Sequence, residues 1–185
     1  MDTVVFDPIN HTYTLDGKVY PSVTQVIKAS GLIDDRWYNA FAATKGTYVA
    51  EATAFDDLGE LDESSVDPII MPYIEAWRKF RSDSGYVPLE IEAPIVNTDF
   101  GFAGTPDRAR GMLSRRPIGL DIKTGVAEDW HDVQVGGYSI LTPDMPSRWF
   151  CCYLSDDGTY RLFEKDTETG LNVFRACLTI YNWRK

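Results

Sequence analysis

Residues 101–125, GFAGTPDRARGMLSRRPIGLDIKTG, constrain this chain more than any other stretch. An acid sits in a Gly-Thr-Pro-Asp turn (Asp107). A Gly-, Arg- and Ser-rich interruption follows, and an apolar run then ends in Gly119-Leu120-Asp121-Ile122-Lys123-Thr124. This pattern predicts two antiparallel strands, the second nearly continuous in apolar residues and therefore central in its sheet. Side chains alternate along a strand, so Asp121 and Lys123 share one face and Ile122 takes the other. If the hairpin brings Asp107 alongside Asp121, two carboxylates and one ammonium converge. Such a set suits a hard divalent cation. A cation there polarises a phosphoryl oxygen and acidifies a water, and a neighbouring lysine orients that water or offsets developing charge. An isolated Asp-x-Lys triplet is more often a surface ion pair worth under about 1 kcal/mol. At the end of a buried strand it needs a partner or a metal.

Pro106-Asp107, the thirteen residues 108–120 and then Asp121-Ile122-Lys123 resemble the signature of the PD-(D/E)xK nucleases. Gln134-x-x-x-Tyr138 resembles the additional motif of their RecB-like, phage-exonuclease branch. The resemblance implies a fold of the α/β (α+β) class: a central mixed β-sheet flanked by helices, a restriction-endonuclease-like core with an N-terminal β-hairpin, in one domain spanning 1–185. It implies a Mg²⁺- or Mn²⁺-dependent DNA nuclease, an exonuclease of the phage recombination or DNA-processing kind. Asp107, Asp121, Lys123 and Glu92 would be catalytic, and Asp107, Asp121 and the Ile122 carbonyl would hold the metal. Gln134, Tyr138, Thr124 and Arg108 would meet the substrate. DNA is the implied partner, with a recombination or single-strand-binding protein as a further candidate, and a bacterial or phage-infected cytoplasm is the implied location.

Gly46-Thr47-Tyr48-Val49-Ala50-Glu51 resembles the family's G-x-x-V-H-x, but Ala50 stands where the family has a metal-site histidine. Glu51 is rotated about 100° around the helix and cannot take that place without a shift. Two functional readings follow. One is an active nuclease; the other is a catalytically impaired nuclease-fold protein that binds DNA ends or a protein partner. Glu92 is open between a second-metal role and an exposed strand acid, and Tyr138 between a DNA contact and the core.

Charge bears on that choice. The net charge is −10 and the pI near 4.6, against the basic footprint usual in nucleic-acid binders. Residues 51–67 carry Glu51, Asp56, Asp57, Glu60, Asp62, Glu63 and Asp67 with no Lys or Arg, whereas 101–125 carries Arg108, Arg110, Arg115, Arg116 and Lys123 against two acids. The acidity is thus expected to lie in one lobe and the site to be locally positive, with DNA binding that weakens steeply in salt.

The remaining elements follow from local signals. Val4–Phe6 and His11–Leu15, turning at Asp16-Gly17, predict a hairpin. Ser22 and Gln25 form a capping box for a helix ending near Gly31. A second helix is expected over 35–57, and a third from Asp67-Pro68 to Ser84 with Arg78, Lys79 and Arg81 in solvent. A strand over 87–96 carries Glu90 and Glu92 on one face. Asp129 and Asp132 are N-cap candidates for the helix holding Gln134 and Tyr138, whose Gly136 and Gly137 fit a close approach to the sheet or to a ligand backbone. A hairpin, 149–154 with 160–164, precedes a helix over 168–183 with Leu171, Phe174, Leu178 and Tyr181 on its core stripe.

Other chemistries find no support. There is no phosphate-binding G-x-x-x-x-G-K-[ST] loop and no G-x-S-x-G nucleophile. Of the two histidines, His131 is expected at the surface. Cys151, Cys152 and Cys177 are too few for a four-cysteine iron–sulfur cluster and read as buried thiols. No apolar run is long enough for a membrane span, and the first residues do not resemble a signal peptide.

Overall fold

The computed structural model describes residues 3–8, 12–33 and 40–185. Strands β1 (Val5–Asp7), β2 (Thr12–Leu15) and β3 (Lys18–Tyr20) form a small antiparallel sheet. The Asp-Gly pair turns β2 into β3 because both residues take left-handed backbones, φ 51° at Asp16 and 75° at Gly17, as a two-residue hairpin requires. The expected hairpin thus gains a third strand; His11 lies outside the described residues.

Helix α1 (Val23–Ser30) begins with the expected capping box. Ser22 Oγ accepts from the Gln25 N–H at 3.0 Å, and Gln25 Oε1 accepts from the Ser22 N–H at 2.8 Å. It ends at Gly31, φ 89°. Helix α2 spans Ala40–Leu58; the expected start at 35 falls outside the described residues. Helix α3 (Met71–Ser84) begins later than Asp67-Pro68. Asp67 first closes a turn of its own, its Oδ1 accepting from Ile69 N–H at 2.9 Å and its carbonyl from Ile70 N–H at 2.8 Å.

The strand expected over 87–96 is two strands, β4 (Val87–Ile91) and β5 (Ile95–Asn97). The break falls at Glu92, which has φ 47°, and Pro94 just beyond has no N–H for a ladder. β5 pairs with β6 (Phe102–Gly104) in a separate ribbon. The Gly/Arg/Ser-rich interruption is itself strand β7 (Arg108–Leu113), and a two-residue turn at Ser114 and Arg115 (φ 50° and 64°) leads into β8 (Arg116–Lys123).

With β9 (Trp149–Leu154) and β10 (Tyr160–Glu164), these make a five-stranded mixed sheet in the order β10-β9-β8-β7-β4. β8 is central, as its apolar run predicts, and runs parallel to β9, all other pairings being antiparallel. A parallel pair needs a crossover, and helix α4 (Trp130–Tyr138) supplies it; α5 (Thr167–Trp183) closes the chain.

Alternation on β9 builds two cores. Trp149, Cys151 and Tyr153 pack with Val26, Ile27, Val135 and Phe174 beneath α1, α4 and α5. Phe150, Cys152 and Leu154 pack with Ile118, Leu120 and Ile122 of β8 beneath Ile74, Trp77 and Phe80 of α3. The chain is a mixed α/β fold whose central sheet is covered by helices on both faces. Among the described residues no helix is long and apolar enough to cross a membrane.

The α4 glycines have a different neighbour from the one expected. A Cβ on Gly136 would lie 2.3 Å from the Leu171 nitrogen, and one on Gly170 2.0 Å from the Asp132 carbonyl oxygen. The backbones of α4 and α5 therefore touch. Gly136→Val is expected to destabilise the protein by about 1–3 kcal/mol in urea denaturation. Gly125→Ala, with nothing within 4 Å of the new Cβ, is expected to leave the midpoint unchanged.

Candidate active site

The adjacency of β7 and β8 brings the sequence-distant acids together. Asp107 ends the turn before β7, and its Oδ2 accepts a hydrogen bond from the Ile122 N–H of β8 at 2.6 Å. Its carbonyl oxygen accepts from Glu92 N–H at 3.1 Å and from Arg108 Nη1 at 2.7 Å. The left-handed backbone of Glu92 is thereby tied to the Asp107 turn, a placement for which a non-glycine residue needs support from its surroundings.

Asp121 and Lys123 do share a face. Lys123 Nζ lies 2.5 Å from Asp121 Oδ2, an ion pair without hydrogen-bond geometry. Nζ donates to Gln134 Oε1 at 2.7 Å, and Gln134 Nε2 donates to the Tyr138 hydroxyl at 3.0 Å. One turn of α4 thus aligns Gln134 with Tyr138 and holds the amine from above. Both residues are buried, and Tyr138 also packs on Trp149. Thr124 lies against α2, its Oγ1 3.6 Å from where a Cβ on Gly46 would be.

Asp107, Gln134 and Tyr138 line a cavity of about 580 Å³, while Asp121 and Lys123 lie behind its wall. Helix α2 gives one wall through Thr47, Ala50, Glu51, Ala54 and Phe55, which repeat at helical spacing. Glu92, Asp107, Thr105, Gln134 and Tyr138 give the other, and Phe6 and Tyr13 of the N-terminal sheet close it. Ala50 and Glu51 both line the space, so the neighbour of the missing histidine reaches the same cavity after all. Sequence reasoning passed over Ala54 and Phe55 as cavity residues; their place in the i, i+3, i+4, i+7, i+8 recurrence from Thr47 through Ala50 and Glu51 was the available signal.

The electrostatics are those of crowded acids. Burial first, and then the charges of Asp107 and its neighbours, push the Glu92 carboxyl up to about 9. Burial and then Asp121 push Asp107 to about 7. Burial, the largest single influence on Lys123, favours loss of its proton, but Asp121, Cys151 and Asp107 together outweigh it and raise the amine, so the ammonium persists. Both raised carboxyls keep protons that an unfolded chain, with carboxyls near about 4, has released. Their contribution to stability is complete below about pH 4 and is lost as pH rises through about 7 and then about 9. Thermal melts of the metal-free protein are expected to show a falling Tm between about pH 5 and pH 9, with the upper part flattened in Glu92→Gln.

The donor set is oxygen only and suits Mg²⁺ or Mn²⁺ rather than a soft metal. Glu92 Oε1 is buried without a hydrogen-bond partner, although the Arg108 guanidinium lies 3.8 Å away, and the crowding of carboxyls is one that a cation would relieve. Among the described residues no group of three or more His, Cys, Asp or Glu side chains is arranged to hold a metal ion. A cation here would have to be held by one or two carboxylates, a main-chain carbonyl and waters, the manner usual for Mg²⁺.

Several expected residues lie elsewhere. Arg108 is fully buried instead of facing a phosphate: its Nε donates to Asp57 Oδ2 at 2.6 Å and its guanidinium stacks on Trp77 at 5.1 Å. Arg110 pairs with Glu90 and with Asp144. Arg115 and Arg116 sit at the far end of β8, about 23 Å along the strand from Lys123 at 3.3 Å per residue. Arg78 and Arg81 are not free in solvent either, pairing with Asp56, Asp57 and Glu63. So the acidic segment neutralises internal arginines, and among the described residues no basic side chain lines the cavity. His131 is buried rather than exposed, 2.8 Å from the Tyr153 hydroxyl, and burial beside Lys123 lowers it to about 3. Asp129 occupies the α4 N-cap position but makes no side-chain cap bond.

No family model matches the chain, and no curated protein sequence does. Solved structures that resemble it include LHK-Exo in complex with dAMP (17% identity, 89% of this chain and 91% of that one, TM-score 0.36). They also include an alkaline exonuclease, LHK-Exo, from Laribacter hongkongensis (17%, 89% and 91%, 0.35). The third is SSO0001 (12%, 72% and 85%, 0.30).

Proposed function

We propose that the chain is a nuclease that hydrolyses DNA phosphodiesters with Mg²⁺ or Mn²⁺. The observation that carries this reading is the Lys123 ammonium, held 2.5 Å from Asp121 and 2.7 Å from Gln134, on the strand whose Ile122 N–H binds Asp107. Asp107, Asp121 and the Ile122 carbonyl would hold the cation, with Glu92 beside them. When bound, it supplies Lewis acidity toward a phosphoryl oxygen and a more acidic water. Lys123 places a fixed positive charge where the attacking water or the developing phosphate charge would lie. Gln134, anchored on Tyr138, fixes the direction of that amine. The helices over the sheet keep Asp121 and Lys123 from bulk water, which strengthens their action on charge.

Ala50 on the cavity wall favours a second reading, a nuclease fold that binds nucleic-acid ends without cutting. Incubation of linear DNA with Mg²⁺ or Mn²⁺ separates the two. The first reading expects cleavage by the unmodified chain, increased by Ala50→His. Cleavage by Ala50→His alone indicates a site lacking one ligand; no cleavage by either variant rejects the nuclease reading.

A further inference from the structure

We infer that the α2 wall of the cavity binds the base of an unpaired strand end, so that a frayed or single-stranded terminus, not a paired one, is the substrate. This rests on the nuclease reading and names its substrate class. Phe55 lines the cavity yet is 49% exposed, and Phe6, stacked on Tyr13 at 4.6 Å, lines it from the N-terminal sheet. Aromatic surface therefore opens into the same space as Glu92 and Asp107. The volume, about 580 Å³, falls among cavities that enclose one small molecule; it admits a nucleotide but not the width of a duplex.

Charge points the same way. Among the described residues no Lys or Arg lines the cavity, while Glu51, Glu92 and Asp107 do. The α2 wall thus offers a phosphate no ion pair, and recognition on it falls to the uncharged bases. Stacking on aromatic faces does this without regard to sequence. The aromatic surface also continues outward. Tyr48 and Phe41 precede Phe55 at seven-residue steps and are 56% and 63% exposed. Seven residues are close to two helical turns, so the three rings follow one side of α2 about 10 Å apart, a row on which following bases can rest.

The test is equilibrium binding, in EDTA and again with Ca²⁺, of short internally labelled oligonucleotides: single-stranded, single-stranded with an abasic terminal nucleotide, and blunt duplex. Phe55→Ala is expected to weaken the intact single strand about tenfold, and Phe55→Trp to restore it. Removing the terminal base is expected to weaken wild-type binding equally and to add no loss in Phe55→Ala; blunt duplex should bind worst. Thermal melts confirm that each variant is folded. Unchanged affinity in Phe55→Ala overturns the proposal, as does an equal loss on intact and abasic strands. A smaller sedimentation mass for Phe55→Ala also overturns it, by showing that a second copy of the chain covers this face. Cleavage of the same oligonucleotides by wild type with Mn²⁺ is scored separately. Base-dependent binding without cleavage keeps the pocket and removes the nuclease; cleavage without base dependence does the reverse.

Discussion

Lys123→Ala is expected to reduce metal-dependent DNA cleavage at least about a hundredfold, the scale seen when one preorganised charge-stabilising donor is lost. The side chain meets Asp121 and Gln134, so its removal deletes the ammonium held beside the Asp121 carboxylate. Gln134→Ala should fall less, by about tenfold, because it leaves the amine in place and removes only what aims it. Single-turnover cleavage isolates the chemical step, and circular dichroism verifies the fold. Full activity in Lys123→Ala would remove the lysine from the mechanism.

The second large effect concerns stability. Asp57→Ala is expected to cost about 3–5 kcal/mol, the usual consequence of leaving one member of a buried pair without its counter-ion. For a chain of this size that lowers Tm by about 6–20 °C. Asp57 and Arg108 side chains are wholly inaccessible at 2.6 Å separation. Asp57 also accepts from Trp77 Nε1 at 2.9 Å and pairs with Arg81 at 2.7 Å. The double variant Asp57→Leu/Arg108→Met should recover part of the loss, since it leaves no buried charge unpaired. Because Arg108 also donates to the Asp107 carbonyl, the single variant should weaken divalent-cation binding as well, readable by calorimetry below its melting temperature.

What could be read from the sequence was local. The Asp121–Lys123 alternation, the Ser22–Gln25 capping box, the Asp16-Gly17 turn and the central position of β8 each depend on residues within a few places of one another. What could not be read required distant partners. Arg108 looked like a phosphate contact because its counter-ion lies on α2. His131 looked exposed because its Tyr153 partner comes from the next strand. The 87–96 strand looked continuous because the bond that stabilises the Glu92 kink arrives from Asp107. The charge pattern misled for the same reason: the arginines clustered in sequence are spent on internal pairs or placed at the far end of the sheet. At Asp107 and Asp121 the fold supplied what spacing alone left open, an antiparallel pair of neighbouring strands.

An acid-walled entrance has a kinetic consequence. With a net charge of −10 on the chain behind it, this entrance and a polyanion repel one another at long range, so diffusional encounter is slowed rather than steered. Added monovalent salt shortens the reach of that repulsion. Up to moderate ionic strength the on-rate for a nucleic-acid end should therefore climb with salt, the opposite of the decline that counter-ion release gives to a protein with a basic groove.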